Sequence, residues 1–515
     1  MAKRTAVIDL GSNSMRMAIF ERTSRLAFFI LAEYKTKVRL GEGGYGSNNE
    51  ISEASMQKAI KAFGEFDNII KSYKCSKVLC VGTSALRDAP NSGVLISLLR
   101  KKLGINLKVI DGKEEATFGA IAAKNLLHNL AECVTIDIGG GSTELARISN
   151  GKIVDVLSLD IGTVRLKELF FDKKNLNKLP KFLSQITAQI DERFKCPNLI
   201  AIGGSLRAIS SAIMSKNLYP LSSLHGFCYK LSDEQAYIES IANVSVLELN
   251  KFPIKKDRYD TIREGAHIFL ALAKALNTKN VITSGVGVRE GVFLKDFLRP
   301  SLKFPENFNP SVKSLQDRFI LSCNKAVARY AKDIFVALKK FHGLNESYLE
   351  TLLIAAKLHN IGQEIGFYGD HKNSAYIILN ALNYGFSHEQ KALIAAVIGT
   401  NGKKNIYEFE KYKNLLPKAE CVRWLSFILA LAKALDITCE KLNLNFEFSG
   451  HTLKIEGAKE FAMAKEEIKK IAKPEILPFR LYRAKVADIL KNASVFGQIL
   501  KFHERVISAL KFELS

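Results

Sequence analysis

Apolar residues over the first three hundred positions alternate between two patterns. Short continuous runs, "KVLCVG" (77–82), "NLKVI" (106–110), "CVTIDI" (133–138), "NLIAIG" (198–203) and "NVITSG" (280–285), read as strands. Between them the apolar positions recur every three or four residues. In residues 52–73, Met56, Ile60, Phe63 and Ile70 fall on one helical face, and Ser52 can cap its start. This alternation predicts an α/β fold. "KFPENFNPSV" (303–312) breaks the rhythm with two prolines and two asparagines, which marks a domain boundary. Beyond it the pattern is helical over 312–340, 348–361 and 421–440, and again through Leu510. One stretch, 442–457, alternates polar and apolar residues around Ser449-Gly450 and predicts a hairpin.

One phrase is written twice. "VIDLGSNSM" (7–15) and "TIDIGGGSTEL" (135–145) superpose Asp9 on Asp137, Gly11 on Gly139 and Ser14 on Ser142. The copies lie too far apart for a solenoid repeat, so a duplicated α/β half-domain is expected, each half opening with a strand that ends in Asp and turns on Gly. Glycines in such turns let the backbone approach a ligand closely. Successive backbone N–H groups there form an anion-binding concavity. Two turns facing each other would clamp a phosphate, while Asp9 and Asp137 suit a metal ion or a water better than a phosphate. "AIGGSLRAIS" (201–210) and "TSGVGVREGV" (283–292) are further strand–Gly turns that open helices, whose N-termini favour anions.

Bulk properties narrow the classes. At 515 residues the chain exceeds one hydrophobic core, so several domains are expected. Its formal net charge of +23 points to a polyanionic partner. It carries no zinc-finger spacing, basic zipper or RNP-type aromatic motif, so no specific nucleic acid is expected. No apolar run reaches the length of a membrane helix, and the N-terminus meets Asp9 too early for a secretory signal. The eight scattered cysteines fit no zinc template. Reduced thiols in a cytoplasm are the expectation.

The ordered set of motifs resembles the exopolyphosphatase/guanosine pentaphosphate phosphatase family, within the actin-like and sugar-kinase superfamily. "DLGSNS" (9–14) is similar to the family's first phosphate loop and "DIGGGSTE" (137–144) to its second. "GTSALRDAPN" (82–91), "DGKEEATFGA" (111–120), "DIGTVRL" (160–166) and "GVREG" (287–291) follow in the family's order. The resemblance implies two ribonuclease-H-like halves, 1–125 and 126–304, followed by a helical HD-like domain, 305–515, with a small hairpin. It implies phosphate binding by Gly11, Ser12, Asn13 and Ser14, by Gly139, Gly140, Gly141, Ser142 and Thr143, and by Gly204 and Ser205.

Hydrolysis of a terminal phosphoanhydride needs a positioned water, a base, and positive charge around the transferred group. Glu114 and Glu115 are adjacent at a helix start, about 100° apart, so one of them can face a given site. The resemblance assigns the base to Glu115. It also assigns to Arg87 a hold on the phosphate chain, to which a guanidinium fork is suited. Asp9, Asp137 and Glu144 are the candidate ligands of Mg²⁺, which takes one or two carboxylates plus phosphate oxygens and water. Arg165 and Arg207 sit near Gly turns and could add phosphate contacts; Arg289 belongs to the fourth motif and could instead serve packing or a salt bridge with Glu290 or another acid.

The helical part departs from the family pattern. "LHNIGQEIGFYGDHKNSAYII" (358–378) resembles an HD-like segment, yet His359 is followed by Asn360, and Asn373 stands where a second His is common. A neutral amide is a poor metal ligand. His359 and His371 are therefore expected in packing or polar networks. Lys-rich segments at 401–414 and 465–473 would guide a long polyanion or simply face solvent. The expected activity is Mg²⁺-dependent release of terminal orthophosphate from inorganic polyphosphate. The stringent-response nucleotide pppGpp is the rival substrate; a sugar-kinase-like ATPase and a non-catalytic polyphosphate sensor are the rival classes. A homodimer is the assembly the resemblance leaves open.

Overall fold

The computed structural model describes residues 3–45, 48–128, 131–320, 326–440, 442–450, 452–458, 461–474 and 479–483. The helix expected through Leu510 lies outside them. The chain divides into two compact units: Met1–Ile320 with Tyr376–Ala392, and Leu321–Ala375 with Leu393–Ser515. The first thus runs past the expected boundary at 304/305 and takes in a later segment.

The first unit holds two mixed sheets. Strands β1 (Arg4–Leu10), β2 (Ser14–Arg22), β3 (Phe28–Lys37), β4 (Lys77–Gly82) and β5 (Leu107–Val109) assemble in the order β3-β2-β1-β4-β5. Strands β6 (Glu132–Ile138), β7 (Thr143–Ser149), β8 (Lys152–Leu159), β9 (Asn198–Ile202), β10 (Cys228–Lys230) and β11 (Asn280–Thr283) assemble as β10-β11-β9-β6-β7-β8. Apart from the edge strand β10, the second order repeats the first: an antiparallel meander of three strands, then two parallel strands beside its first member. The duplicated phrase is therefore a duplicated half-domain, with each glycine turn joining the first two strands of its meander.

All five runs read as strands lie in these sheets, as β4, β5, β6, β9 and β11. The 52–73 pattern forms the helix Glu53–Ser72, and the Ser52 side chain accepts from the Ser55 N–H at 3.2 Å, as a cap should. The helix Gly112–Leu126 lies between the two sheets. Its Phe118, Ile121 and Ala122 join the core with Val7 and Phe20 of the first sheet. Its Ala120 and Ala123 pack with Ala146, Ile148 and Ile200 of the second. A helix apolar on opposite faces belongs inside a core. Its N-terminus, capped by Asp111 accepting from the Glu114 N–H at 2.7 Å, meets the loops of both halves. Among the described residues no helix is long and apolar enough to cross a membrane.

The second unit is built on the helices Val327–Ala337, Ser347–Leu358 and Ala419–Leu435, with Tyr330, Phe335, Trp424 and Phe427 among its most deeply buried side chains. Strands β12 (Asn445–Ser449) and β13 (Thr452–Ala458) pair antiparallel around Gly450. β14 (Phe479–Arg483) adds parallel to β13, a partner the sequence pattern did not reveal.

Candidate active site

The two glycine turns have the same closure. The Gly11 N–H donates to the Ser14 carbonyl at 3.1 Å, and the Gly139 N–H to the Ser142 carbonyl at 3.0 Å. They face one another closely: a Cβ on Gly140 would stand 2.9 Å from the Ser12 Cβ, and one on Gly141 2.0 Å from the Tyr45 hydroxyl. Only glycine allows this approach. Around the turns lies a cleft of about 130 Å³ lined by Asp9, Gly11, Ser12, Asn13, Ser14, Glu115, Asp137, Gly139, Gly140, Gly141, Ser142, Gly204 and Ser205. Gly204 and Ser205 open the helix Gly204–Lys216, so its free N–H groups point toward the space between the loops. Thr143 turns away, fully buried, and donates to the Ile161 carbonyl at 2.6 Å.

Carboxylates gather here: Asp9, Glu115, Asp137 and buried Glu290 line the cleft, and Glu144 lies beside it, 3.9 Å from Arg87. Glu115, at the head of the central helix, is buried. Burial and then the Glu144 charge push its pKa well above the ordinary carboxylate value. Burial raises Glu144 to about 8 and Asp137 to about 6, each also raised by a neighbouring acid, and lifts Asp9 too. Glu144 Oε1 accepts from Ser158 at 3.1 Å, while its buried Oε2 has no hydrogen-bond partner. Glu114 points elsewhere, to Lys108 at 2.6 Å and Lys295 at 3.7 Å. Of the adjacent acids, the structure brings Glu115 to the loops.

Arg87 lies among the acids. Its Nη1 donates to the Ile110 carbonyl at 2.9 Å and to Glu115 Oε2 at 3.2 Å; its Nη2 donates to Ser142 Oγ at 3.3 Å and lies 3.9 Å from Glu144 Oε1. It thus ties Glu115 of one half to the glycine loop of the other. Arg165 donates from Nε to the Gly141 carbonyl at 2.8 Å and from Nη2 to Asp88 at 2.7 Å, with its guanidinium over the Tyr45 ring. Arg207 and Arg289 line the cleft. Arg207 donates to the Ser284 and Val286 carbonyls at 2.7 and 3.2 Å, and Arg289 pairs with Glu33 at 2.8 Å.

The sequence reading missed several cations that line the same cleft: Arg16, Lys35, Lys37 and Arg258. Burial and the repulsion of Arg207 and Arg289 bring Arg16 down to about 10. Lys35 is lowered by burial, then by Arg258 and Arg16. A group of cations that repel one another across a cleft is held ready for an anion. One signal was present: Arg16 occupies in the first copy of the repeated phrase the place that Glu144 occupies in the second. Facing acids balance part of this charge at the mouth. Lys37 donates to Asp260 at 3.1 Å and to the Asp257 carbonyl at 3.0 Å, and Lys35 lies 3.6 Å from Asp257.

Among the described residues, no three His, Cys, Asp or Glu side chains are gathered so as to hold a metal by themselves. Mg²⁺ takes fewer protein ligands than that. The donors present are hard carboxylate oxygens, mutually repelling, with Glu144 Oε2 unpaired, so they fit a hard divalent cation that shares its shell with phosphate and water. In the second unit, His359 is buried with Nδ1 2.9 Å from the Ala356 carbonyl, and burial brings it down to about 3. His371 Nε2 accepts from Lys403 at 3.2 Å. Asn360 Oδ1 is buried without a partner. Asn373 Nδ2 lies 3.5 Å from the Gly362 carbonyl.

A family model described as the Ppx/GppA phosphatase family matches residues 18–300, more than half of the chain, and one described as Ppx/GppA phosphatase, domain III, matches residues 309–464. Among solved structures, a Ppx/GppA family member from Aquifex aeolicus is 25% identical with a TM-score of 0.50, over 58% of this chain and 99% of that one. An exopolyphosphatase from Cytophaga hutchinsonii shares the fold at 22% identity and a TM-score of 0.53, over 59% of this chain and 100% of that one.

Proposed function

The chain belongs to the Ppx/GppA phosphatase family, and from that premise we propose that it releases terminal orthophosphate from inorganic polyphosphate. The observation that carries the reading is the cleft itself: facing glycine loops, a ring of mutually repelling cations, and one buried carboxylate, Glu115, at the head of the helix between the halves. The loop N–H groups and the N-terminus of the helix Gly204–Lys216 hold the terminal phosphate. Arg16, Lys35 and Arg258 offset the charge of the phosphates behind it. Glu115, its proton affinity raised by burial and by the Glu144 charge, takes a proton from the attacking water as the new P–O bond forms and the bridging P–O bond breaks. Arg87 holds Glu115 in place by its 3.2 Å hydrogen bond. Mg²⁺, held by Glu144 with Asp137 or Asp9, would neutralise charge growing on the phosphoryl oxygens.

The second reading, pppGpp hydrolysis, rests on a neighbouring cavity of about 250 Å³ that shares Ser12, Asn13 and Thr261 with the cleft. It is lined by Glu42, Glu168, Asp172 and Asp260 beside Arg39 and Lys167. Carboxylates repel a phosphate chain and suit the N–H donors of a base. Initial rates on long polyphosphate, tripolyphosphate and pppGpp separate the two readings. Polyphosphate turned over faster supports the first; a strong preference for pppGpp replaces it with the second.

A further inference from the structure

At the opposite end of β2 from the glycine loops lies a third cavity, of about 380 Å³. The nine residues of β2 separate Ser14 from Arg22, about 27 Å at the rise of a strand. The cavity is lined by Arg22, Arg25, Arg299 and Lys303, with Phe297 and Phe304, and no carboxylate among the described residues lines it. Of the acids next to it in sequence, Glu21 pairs with Arg4 at 2.6 Å and Asp296 with Lys77 at 2.6 Å, while Glu306, beside Pro305, is exposed and outside the lining. A further cation stands close by, since Lys124 is lowered first by burial and then by the charge of Lys303.

The walls are fixed in place. The Arg22 guanidinium lies over the Phe297 ring, 5.0 Å from its centroid, and donates to the Arg25 carbonyl at 3.1 Å. Phe297 is held against Phe28 and Phe293, with ring centroids 5.5 and 4.9 Å away. The segment carrying Lys303 is tied down by Asn125, which donates to the Leu302 carbonyl at 3.1 Å, and by Ser301, which donates to the Lys303 carbonyl at 2.9 Å. Stacking leaves the edge of a guanidinium free, and that edge is the part that matches phosphate oxygens.

We propose that this cavity is a second anion site, distinct from the hydrolytic cleft, which takes a chain of phosphates and holds it uncleaved. Like charges gathered without an acid repel one another, and an anion relieves that repulsion. Several cations spread round one cavity suit a ligand with several charges better than a single phosphate. Holding without cleavage follows from the lining, which offers no carboxylate to serve as a base. The phosphates of inorganic polyphosphate and of a nucleotide share this chemistry.

The experiment titrates the full chain calorimetrically, in excess chelator to stop turnover, with inorganic tripolyphosphate and separately with GTP. Two sites per chain are expected. Arg25→Ser with Arg299→Ser, both exposed positions, should remove one site or weaken it about tenfold, the scale of losing charge-assisted hydrogen bonds. Initial rates on tripolyphosphate should stay unchanged, and Arg25→Lys with Arg299→Lys should retain most of the binding. Equal losses for both ligands identify the phosphate chain as what is held. A loss for GTP alone would mean that the rings hold the base, and would overturn the proposal. So would a single site per chain in the unsubstituted protein, or identical isotherms with and without the arginines.

Discussion

Across the first hairpin of the first sheet Asp9 faces Arg16; across the first hairpin of the second, at the same place after the glycine turn, Asp137 faces Glu144. The backbone device is the same, with turns closed at 3.1 and 3.0 Å. The side chains that follow have opposite charge. One half presents a cation to the cleft, lowered in proton affinity by burial and by other arginines; the other places beside the cleft a buried acid raised by burial and by Asp137. Two copies of a phosphate loop with identical surroundings would bind an anion and do nothing more. Phosphoryl transfer needs the asymmetry, with positive charge on the phosphate chain and carboxylates to take a proton and share a cation.

The largest effect expected leaves this comparison untouched, because Glu115 belongs to neither loop. Glu115→Gln should cut turnover by roughly 10²–10⁴ while preserving substrate binding. Glu114→Gln, which loses only its pairing with Lys108 and Lys295, should do far less. A larger loss for Glu114 in steady-state rates would move the base to that residue.

The next pair tests the comparison directly. Glu144→Gln should raise the Mg²⁺ concentration for half-activity by about tenfold or more, at least the cost of altering a group that only supports a metal ligand, with a smaller change in KM for polyphosphate. Arg16→Met should do the reverse. Mg²⁺ titrations of both variants decide it; the same change in both would erase the distinction between the two loops.

Stability against pH sharpens it further. Glu144 is raised to about 8 from an ordinary 4.5, so the folded, metal-free protein holds a proton that the unfolded chain has released. That contribution is present below about pH 4.5 and is lost as pH rises toward 8; Asp137, raised to about 6, adds to the lower part of the window. Thermal melts in chelator should therefore show Tm falling from pH 5 to pH 8. Glu144→Gln should flatten the slope and Arg16→Met should not. Mg²⁺ should raise Tm more at pH 8 than at pH 5.

The smallest effect concerns the acids at the mouth. Asp260→Asn removes the charge facing Lys37 at 3.1 Å, an ion pair about one-third exposed on each side. KM for tripolyphosphate should fall by about two- to fivefold at low salt, since exposed pairs are worth up to ~1 kcal/mol, and the gain should fade at high salt. An unchanged KM at low ionic strength would limit Asp260 to joining the halves.

Local signals carried much of the fold. Ser52 announced its helix, and five apolar runs became five strands, because a cap and a buried run are decided by near neighbours. β2 and β3 were harder to read. "SMRMAIFER" and "FFILAEYKTK" mix charge into strands that line a cleft, so neither the apolar-run nor the helix pattern fits them. The same strands supplied the missed residues Arg16, Lys35 and Lys37.

The sequence by itself determined the duplication, the glycine turns, and a helix carrying Glu114 and Glu115 in its first turn. Each of these depends on a few consecutive residues, and a turn or a helix start forms under local rules wherever it is placed. Only the tertiary structure decided that Glu115 rather than Glu114 meets both loops, that Arg87 spends its donors on Glu115 and Ser142, and that Arg16, Lys35 and Arg258 crowd one cleft. Those outcomes join residues from both halves, whose sheets share the helix Gly112–Leu126 as it buries opposite faces between them. Periodicity says which face of an element turns inward; which charges then meet across the gap is settled by how two separately encoded halves dock.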